Sequence, residues 1–93
     1  MAIKTYKCAD TEALFSLRRV ARFANIERTA LRKLKQVDLA RSIEDLRAPP
    51  GNRLELLKGD RAGRWSIRVN DQFRVCFRWT GTDAEDVEIV DYH

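Results

Sequence analysis

The sequence predicts an α+β domain: an N-terminal strand and two to three helices packed on one face of a mostly antiparallel sheet of four to five strands. Three observations predict it. In the first half, Ile26, Ala30, Leu34 and Val37 fall at i, i+4, i+8 and i+11, one apolar stripe of a helix. "APPGN" at 48–52 then stops any helix, because Pro49, Pro50 and Gly51 cannot continue one. Beyond it the period becomes two: Trp65, Ile67 and Val69, then Phe73, Val75, Phe77 and Trp79, alternate with polar residues. Helices first and strands afterwards is the order of an α+β fold. The chain has 93 residues, which fits a single domain over 1–93.

The elements follow in order. "IKTY" (3–6) alternates weakly and reads as a first strand. Asp10 is an expected N-cap for a short helix that turns Leu14 and Phe15 inward. "RRVARF" connects to, or continues into, the next element, and Asn25 is the expected cap of a helix over 26–38. Arg28, Arg32, Lys33 and Lys35 cover that helix's other sides and read as solvated residues. "SIEDL" (42–46) carries the Ser-x-x-Asp signal of another helical turn. "RLELL" (53–57) reads as a strand and "KGDRAG" (58–63) as a loop. "RWSIRV" and "QFRVCFRW" are strands joined through Asn70 and Asp71, "TGTDAED" is a turn, and "VEIVDY" is the last strand.

Composition narrows the class. The chain is 44% hydrophobic and 34% charged, which fits a soluble globular protein rather than a disordered one. No apolar run approaches the ~18 residues of a membrane helix, and the N-terminus carries no signal-peptide core, so the expected location is the cytoplasm, with no membrane partner. Cys8, Cys76 and His93 are far apart in sequence and form no zinc motif, so no metal is expected, and the cysteines read as small apolar fillers. Net charge is +4, which favours an anionic partner. The charge is also uneven. Residues 58–78 hold Lys58, Arg61, Arg64, Arg68, Arg74 and Arg78 against Asp60 and Asp71, while residues 82–93 are acidic.

Residues i and i+2 of a strand share a face, so Arg64, Ser66 and Arg68 form one row and Arg74, Cys76 and Arg78 the next. A short turn brings Arg68 and Arg74 together near the hairpin end. Like charges that close destabilise the pair unless an anion or carboxylate lies between them. Two readings follow. The arginines pair with the acidic last strand, with Glu88 opposite Arg74, Cys76 or Arg78; or their planar forks grip phosphate. His93, beside a cation cluster that would keep it neutral, could act as a general base, and Tyr92 could stack on a nucleobase. RNA cleavage through the 2′-hydroxyl needs these groups and no metal.

The stretch "LLKGDRAGRWSIRVNDQFRVCFRW", the acidic last strand and the terminal "VDYH" resemble the HigB branch of the RelE-like toxins of bacterial type II toxin–antitoxin systems. "DLRAPPGNRLE" and "VEIVDYH" are similar to the GraT-type HigB proteins, and the likeness spans essentially the whole chain. The resemblance implies a RelE-like fold and a ribosome-dependent, metal-independent mRNA endoribonuclease with no cofactor, acting in the ribosomal A site on the small subunit. It implies a helix-turn-helix antitoxin (HigA-like) as partner, with operator DNA reached only through that antitoxin. Carried onto this chain, Lys58 and Arg74 stabilise the transition state and His93 transfers the proton. Arg61, Arg64, Arg68, Arg78, Tyr92 and Asp91 complete the expected RNA-binding set. Two departures stand out. Some relatives carry an arginine where this chain has Asn70, and Arg68 is the nearest replacement. Alternation from Val87 and Ile89 would put Tyr92 on the open face and His93 on the helix face, unless a bulge or the end of the ladder intervenes; without either, Tyr92 is the better catalytic candidate. The alternatives to the nuclease are a non-catalytic toxin of the RelE/ParE fold, and a basic module that only binds RNA or the ribosome.

Overall fold

The computed structural model describes residues 1–92, Arg61 by its backbone only; His93 lies outside the described residues. Helix α1 (Ala9–Phe15) leads through a 3-10 stretch (Ala21–Ile26) into α2 (Glu27–Leu39). Two 3-10 turns (Ile43–Arg47 and Pro50–Asn52) precede β1 (Glu55–Leu56). A further turn, Gly59–Arg61, precedes β2 (Arg64–Arg68), β3 (Phe73–Trp79) and β4 (Ala84–Asp91). The four strands form an antiparallel sheet in the order β1-β2-β3-β4. Two helices on a four-stranded antiparallel sheet is the α+β arrangement that the change of period predicts.

The core lies between sheet and helices. Ile26, Ala30, Leu34 and Val37, the predicted stripe, are all buried against Ile67, Val75, Phe77, Val87 and Ile89 of the sheet. Phe23 is fully buried and meets Phe73 edge to face, with ring centroids 6.1 Å apart.

Several boundaries differ from expectation, each for a local reason. The helix expected to be capped by Asp10 starts at Ala9 with Cys8 at the N-cap, and Asp10 instead takes the Arg22 Nε at 2.8 Å. Asn25 caps nothing. Residues 21–26 form a 3-10 run in which Phe23 and Ile26, three apart, eclipse on the inner side, and α2 begins at Glu27 without a side-chain cap. The "IKTY" strand reduces to single parallel bridges, Ile3 to Ala84 and Tyr6 to Val87, with the β4 bulge at Asp86 between them. The strand expected over 53–57 keeps only Glu55–Leu56, because Arg53 sits in the left-handed region (φ 46°). Lys33, expected in solvent, is buried and donates to Asn52 Oδ1 at 2.5 Å. The "SIEDL" turn forms as expected, with the Asp45 carboxylate accepting the N–H groups of Arg41 and Ser42, which hold its pKa below the ordinary value. Among the described residues no helix is long and apolar enough to cross a membrane.

Candidate nucleic-acid interface

The β2–β3 hairpin builds the site. Asn70 Oδ1 accepts the N–H groups of Gln72 and Phe73, both at 2.8 Å, and so fixes the turn. With that turn, Arg64 lies opposite Arg78, Ser66 opposite Cys76 and Arg68 opposite Arg74. Two pairs of like charges therefore face each other across the ladder, each a destabilising arrangement on its own.

Carboxylates relieve both pairs. At one end, Arg64 Nη1 lies 3.3 Å from Glu88 Oε2, and its Nη2 lies 3.7 Å from Asp86, which also stands 3.9 Å from Arg78. Here the arginines pair with the acidic last strand. Glu88 stands opposite Cys76 in register but takes Arg64. A bulge makes this possible: between Cys76–Glu88 and Arg78–Glu85 two β4 residues oppose the single Phe77, and Asp86 adopts φ 53°. Ala84 and Val87 can then both be buried although three residues apart, while Asp86 reaches the arginines.

At the other end, Arg68 pairs with Asp71, which is 94% exposed. Arg74 is as buried as Arg64, its side chain also 15% exposed. Its Nη1 donates to the buried Ser66 hydroxyl at 2.8 Å and to the Arg53 carbonyl at 3.3 Å, and lies 3.5 Å from Glu55 Oε1. Its guanidinium carbon sits 5.5 Å from the centre of the Tyr92 ring.

The bulge precedes Val87, so alternation runs unbroken from there: Val87 and Ile89 inward, Tyr92 on the arginine side. The ladder ends at Asp91, which accepts from Gln72 Nε2 at 2.9 Å, and the Tyr92 N–H donates to the Gln72 carbonyl at 2.6 Å. His93, the expected proton-transfer residue, lies outside the described residues. Lys58 is exposed and follows Leu57, whose N–H meets the Arg64 carbonyl at 2.7 Å. It thus flanks the Arg64 end, and four residues of strand, about 13 Å, separate that level from Arg68 and Arg74. Arg61 closes the Gly59–Arg61 turn that follows Lys58. The structure therefore gathers Arg68, Arg74 and Tyr92, and sets Lys58 apart with Arg64 and Arg78. Sequence reading missed Glu55, Ser66 and the Arg53 carbonyl as partners of Arg74. The pairing of Glu55 with Ser66 reveals them, and that register depends on how short β1 is.

Two helices on such a sheet define the RelE-like class of toxin folds. The structure is similar along both whole chains to a YoeB/ParE toxin from Agrobacterium tumefaciens, with a TM-score of 0.52 and 25% sequence identity. Residues 16–93 match the family described as the RelE-like toxin of type II toxin-antitoxin system HigB, and the chain belongs to this HigB-like toxin family. It is 50% identical over 56 residues to Toxin HigB-1 of Vibrio cholerae serotype O1, covering 60% of this chain and 59% of that protein. It is 38% identical over 61 residues to Endoribonuclease HigB of Proteus vulgaris, covering 66% and 65%. The matches thus span about three fifths of the length of these curated relatives.

Proposed function

We propose that this chain is the toxin of a type II toxin–antitoxin pair and cleaves mRNA on the ribosome without a metal ion. The observation that carries the reading is Arg74, a guanidinium fixed by Ser66, Arg53 and Glu55, facing Arg68 across the hairpin and stacked on Tyr92. Support comes from the family match and from a relative named as an endoribonuclease.

In this reading the 2′-hydroxyl of a nucleotide attacks its own 3′ phosphorus, and the bond to the leaving 5′ oxygen breaks. Charge grows on the non-bridging oxygens, where Arg74 acts and which Lys58, on a long exposed side chain, must reach from the Arg64 end. A preorganised donor aimed at such charge contributes about 3–4 kcal/mol to the barrier reduction. Arg61, Arg64, Arg68, Arg78, Asp91 and Tyr92 position the RNA. His93 takes or returns the proton, the role its place after Tyr92 and the family resemblance give it. A helix-turn-helix antitoxin silences the toxin and carries it to operator DNA, and the A site of the cytoplasmic ribosome, on its small subunit, presents the mRNA.

A second reading, a module that binds RNA without cutting it, is favoured by one observation. Arg64 and Arg78 already have carboxylate partners, and Lys58 stands at their end of the sheet. Mapping the 5′ ends of cellular mRNA after induction decides between the two. The nuclease reading expects new ends with the unaltered chain and none with Arg74→Ala or His93→Ala. New ends and growth arrest that persist in both variants would remove it. A pure binder should tolerate His93→Ala and lose RNA steeply as salt rises.

A further inference from the structure

We infer that Asn52 is a positioning residue for Arg74: its buried amide locks the backbone corner whose next carbonyl, that of Arg53, holds the Arg74 guanidinium. This rests on the nuclease reading above and adds to it a residue outside the basic face.

Asn52 ends the Pro50–Asn52 turn and is completely buried. Its side chain is hydrogen-bonded at both ends inside the protein. Nδ2 shares its two hydrogens among Gln36 Oε1 at 2.9 Å, the Leu46 carbonyl at 3.2 Å and the Ala48 carbonyl at 3.3 Å, while Oδ1 accepts from Lys33 Nζ at 2.5 Å. Two of these partners stand on α2 and two on the loop before the turn, so Asn52 ties the helix layer to the approach of β1. Lys33 is itself buried, and among the described residues no carboxylate lies within ion-pair distance of it; burial first, then Arg32 and Arg68, push its pKa down. An ammonium held in such surroundings is an expensive way to anchor a loop unless the loop must not move.

The residue that must not move is Arg53. It sits at φ 46°, ψ 56°, a conformation that bulky side chains rarely adopt and that persists only where its surroundings impose it. Relaxation to an ordinary extended conformation would swing its carbonyl away from Arg74 Nη1. It would also redirect Glu55, two residues on, whose carboxylate lies 3.5 Å from the same nitrogen. Such backbone strain clusters where geometry serves function.

The test uses the purified full chain on translating ribosomes, with circular dichroism to verify folding at the assay temperature. Asn52→Ala is expected to lower kcat on the order of 10- to 100-fold with KM little changed, the effect of misplacing a catalytic group by about 1 Å. Lys33→Met removes a single bond, keeps the apolar stem and carries the test if Asn52→Ala does not fold; it should lower kcat in the same direction. In an Arg74→Lys background, Asn52→Ala should add little, because the fork it positions is already gone. Full kcat in folded Lys33→Met and Asn52→Ala, or an equal further loss in the Arg74→Lys background, overturns the positioning role while the nuclease reading stands. Full activity in Arg74→Ala overturns both.

Discussion

Replacing Arg64 by alanine separates an arginine paired with a mostly buried carboxylate from arginines whose carboxylate partners are exposed. The Arg64 and Glu88 side chains are 15% and 17% exposed, and the pair is closed at 3.3 Å with Asp86 nearby. Breaking a buried ion pair by removing one partner costs about 3–5 kcal/mol, because the surviving charge stays desolvated. Lys7, 3.9 Å from Glu88 and mostly exposed, recovers part of that, so the expected loss is about 2–3 kcal/mol. For a 93-residue domain this lowers the melting temperature by roughly 10–20 °C. Urea unfolding followed by circular dichroism measures it directly. The double variant Arg64→Met with Glu88→Leu should regain most of the loss, since an apolar pair of similar size carries no desolvation cost. Arg68→Ala, whose partner Asp71 is 94% exposed, should shift stability by no more than about 0.5 kcal/mol. Equal, small effects of Arg64→Ala and Arg68→Ala would show that Arg64 is an ordinary surface cation, and the division of the face into two ends would fail.

Three further outcomes are expected. Phe23→Ala, which empties a fully buried site against Phe73, should cost about 3–5 kcal/mol in the same unfolding measurement. Cys8 should react with iodoacetamide well before Cys76, which is buried. Burial raises the Cys8 thiol, but the hydrogen bonds from Thr11 and Asp10 and the Arg22 guanidinium outweigh it and leave its pKa below the usual value; Arg22→Ala should therefore shift its reactivity to higher pH. Tyr6 should titrate at about pH 12 rather than 10 in a Tyr92→Phe variant followed by absorbance, because burial first, then Asp38 and Glu12, oppose the phenolate. A phenol whose pKa is raised on folding contributes no pH dependence below 10, and its stabilising effect is lost as pH climbs from 10 towards 12.

What the sequence made legible was whatever a period or a turn residue encodes. The α2 stripe, the stop at "APPGN" and the hairpin around Asn70 follow from local rules, and the hairpin alone implies that Arg68 faces Arg74. Helix starts differ at Asp10, which pairs with Arg22 instead of capping, and at Asn25, where tertiary burial of Phe23 and Ile26 overrides the capping preference of the residue between them. Lys33 reads as solvated because helical periodicity cannot see a loop that folds back nineteen residues later to offer an amide oxygen. The bulge at Asp86 was equally invisible. No glycine marks it, and its cause is the need to bury both Ala84 and Val87. The partners of Arg74 depended on β1 being two residues long, which in turn depends on the left-handed turn of Arg53.

The hairpin face thus grades from one end to the other. Opposed guanidiniums at both ends need anions to coexist, and the chain supplies carboxylates of two kinds. Glu88 is mostly buried and anchored between strands, so an incoming phosphate would have to desolvate further to replace it at Arg64. Asp71 and Glu55 are exposed, and a solvated carboxylate holds its partner by little more than about 1 kcal/mol. A phosphate that brings its own charge-assisted bonds to two forks at once can displace them. Under the proposed function RNA therefore engages first at the Arg68–Arg74 end, beside Tyr92, while the Arg64 end keeps the two strands in register and meets only the flanking RNA.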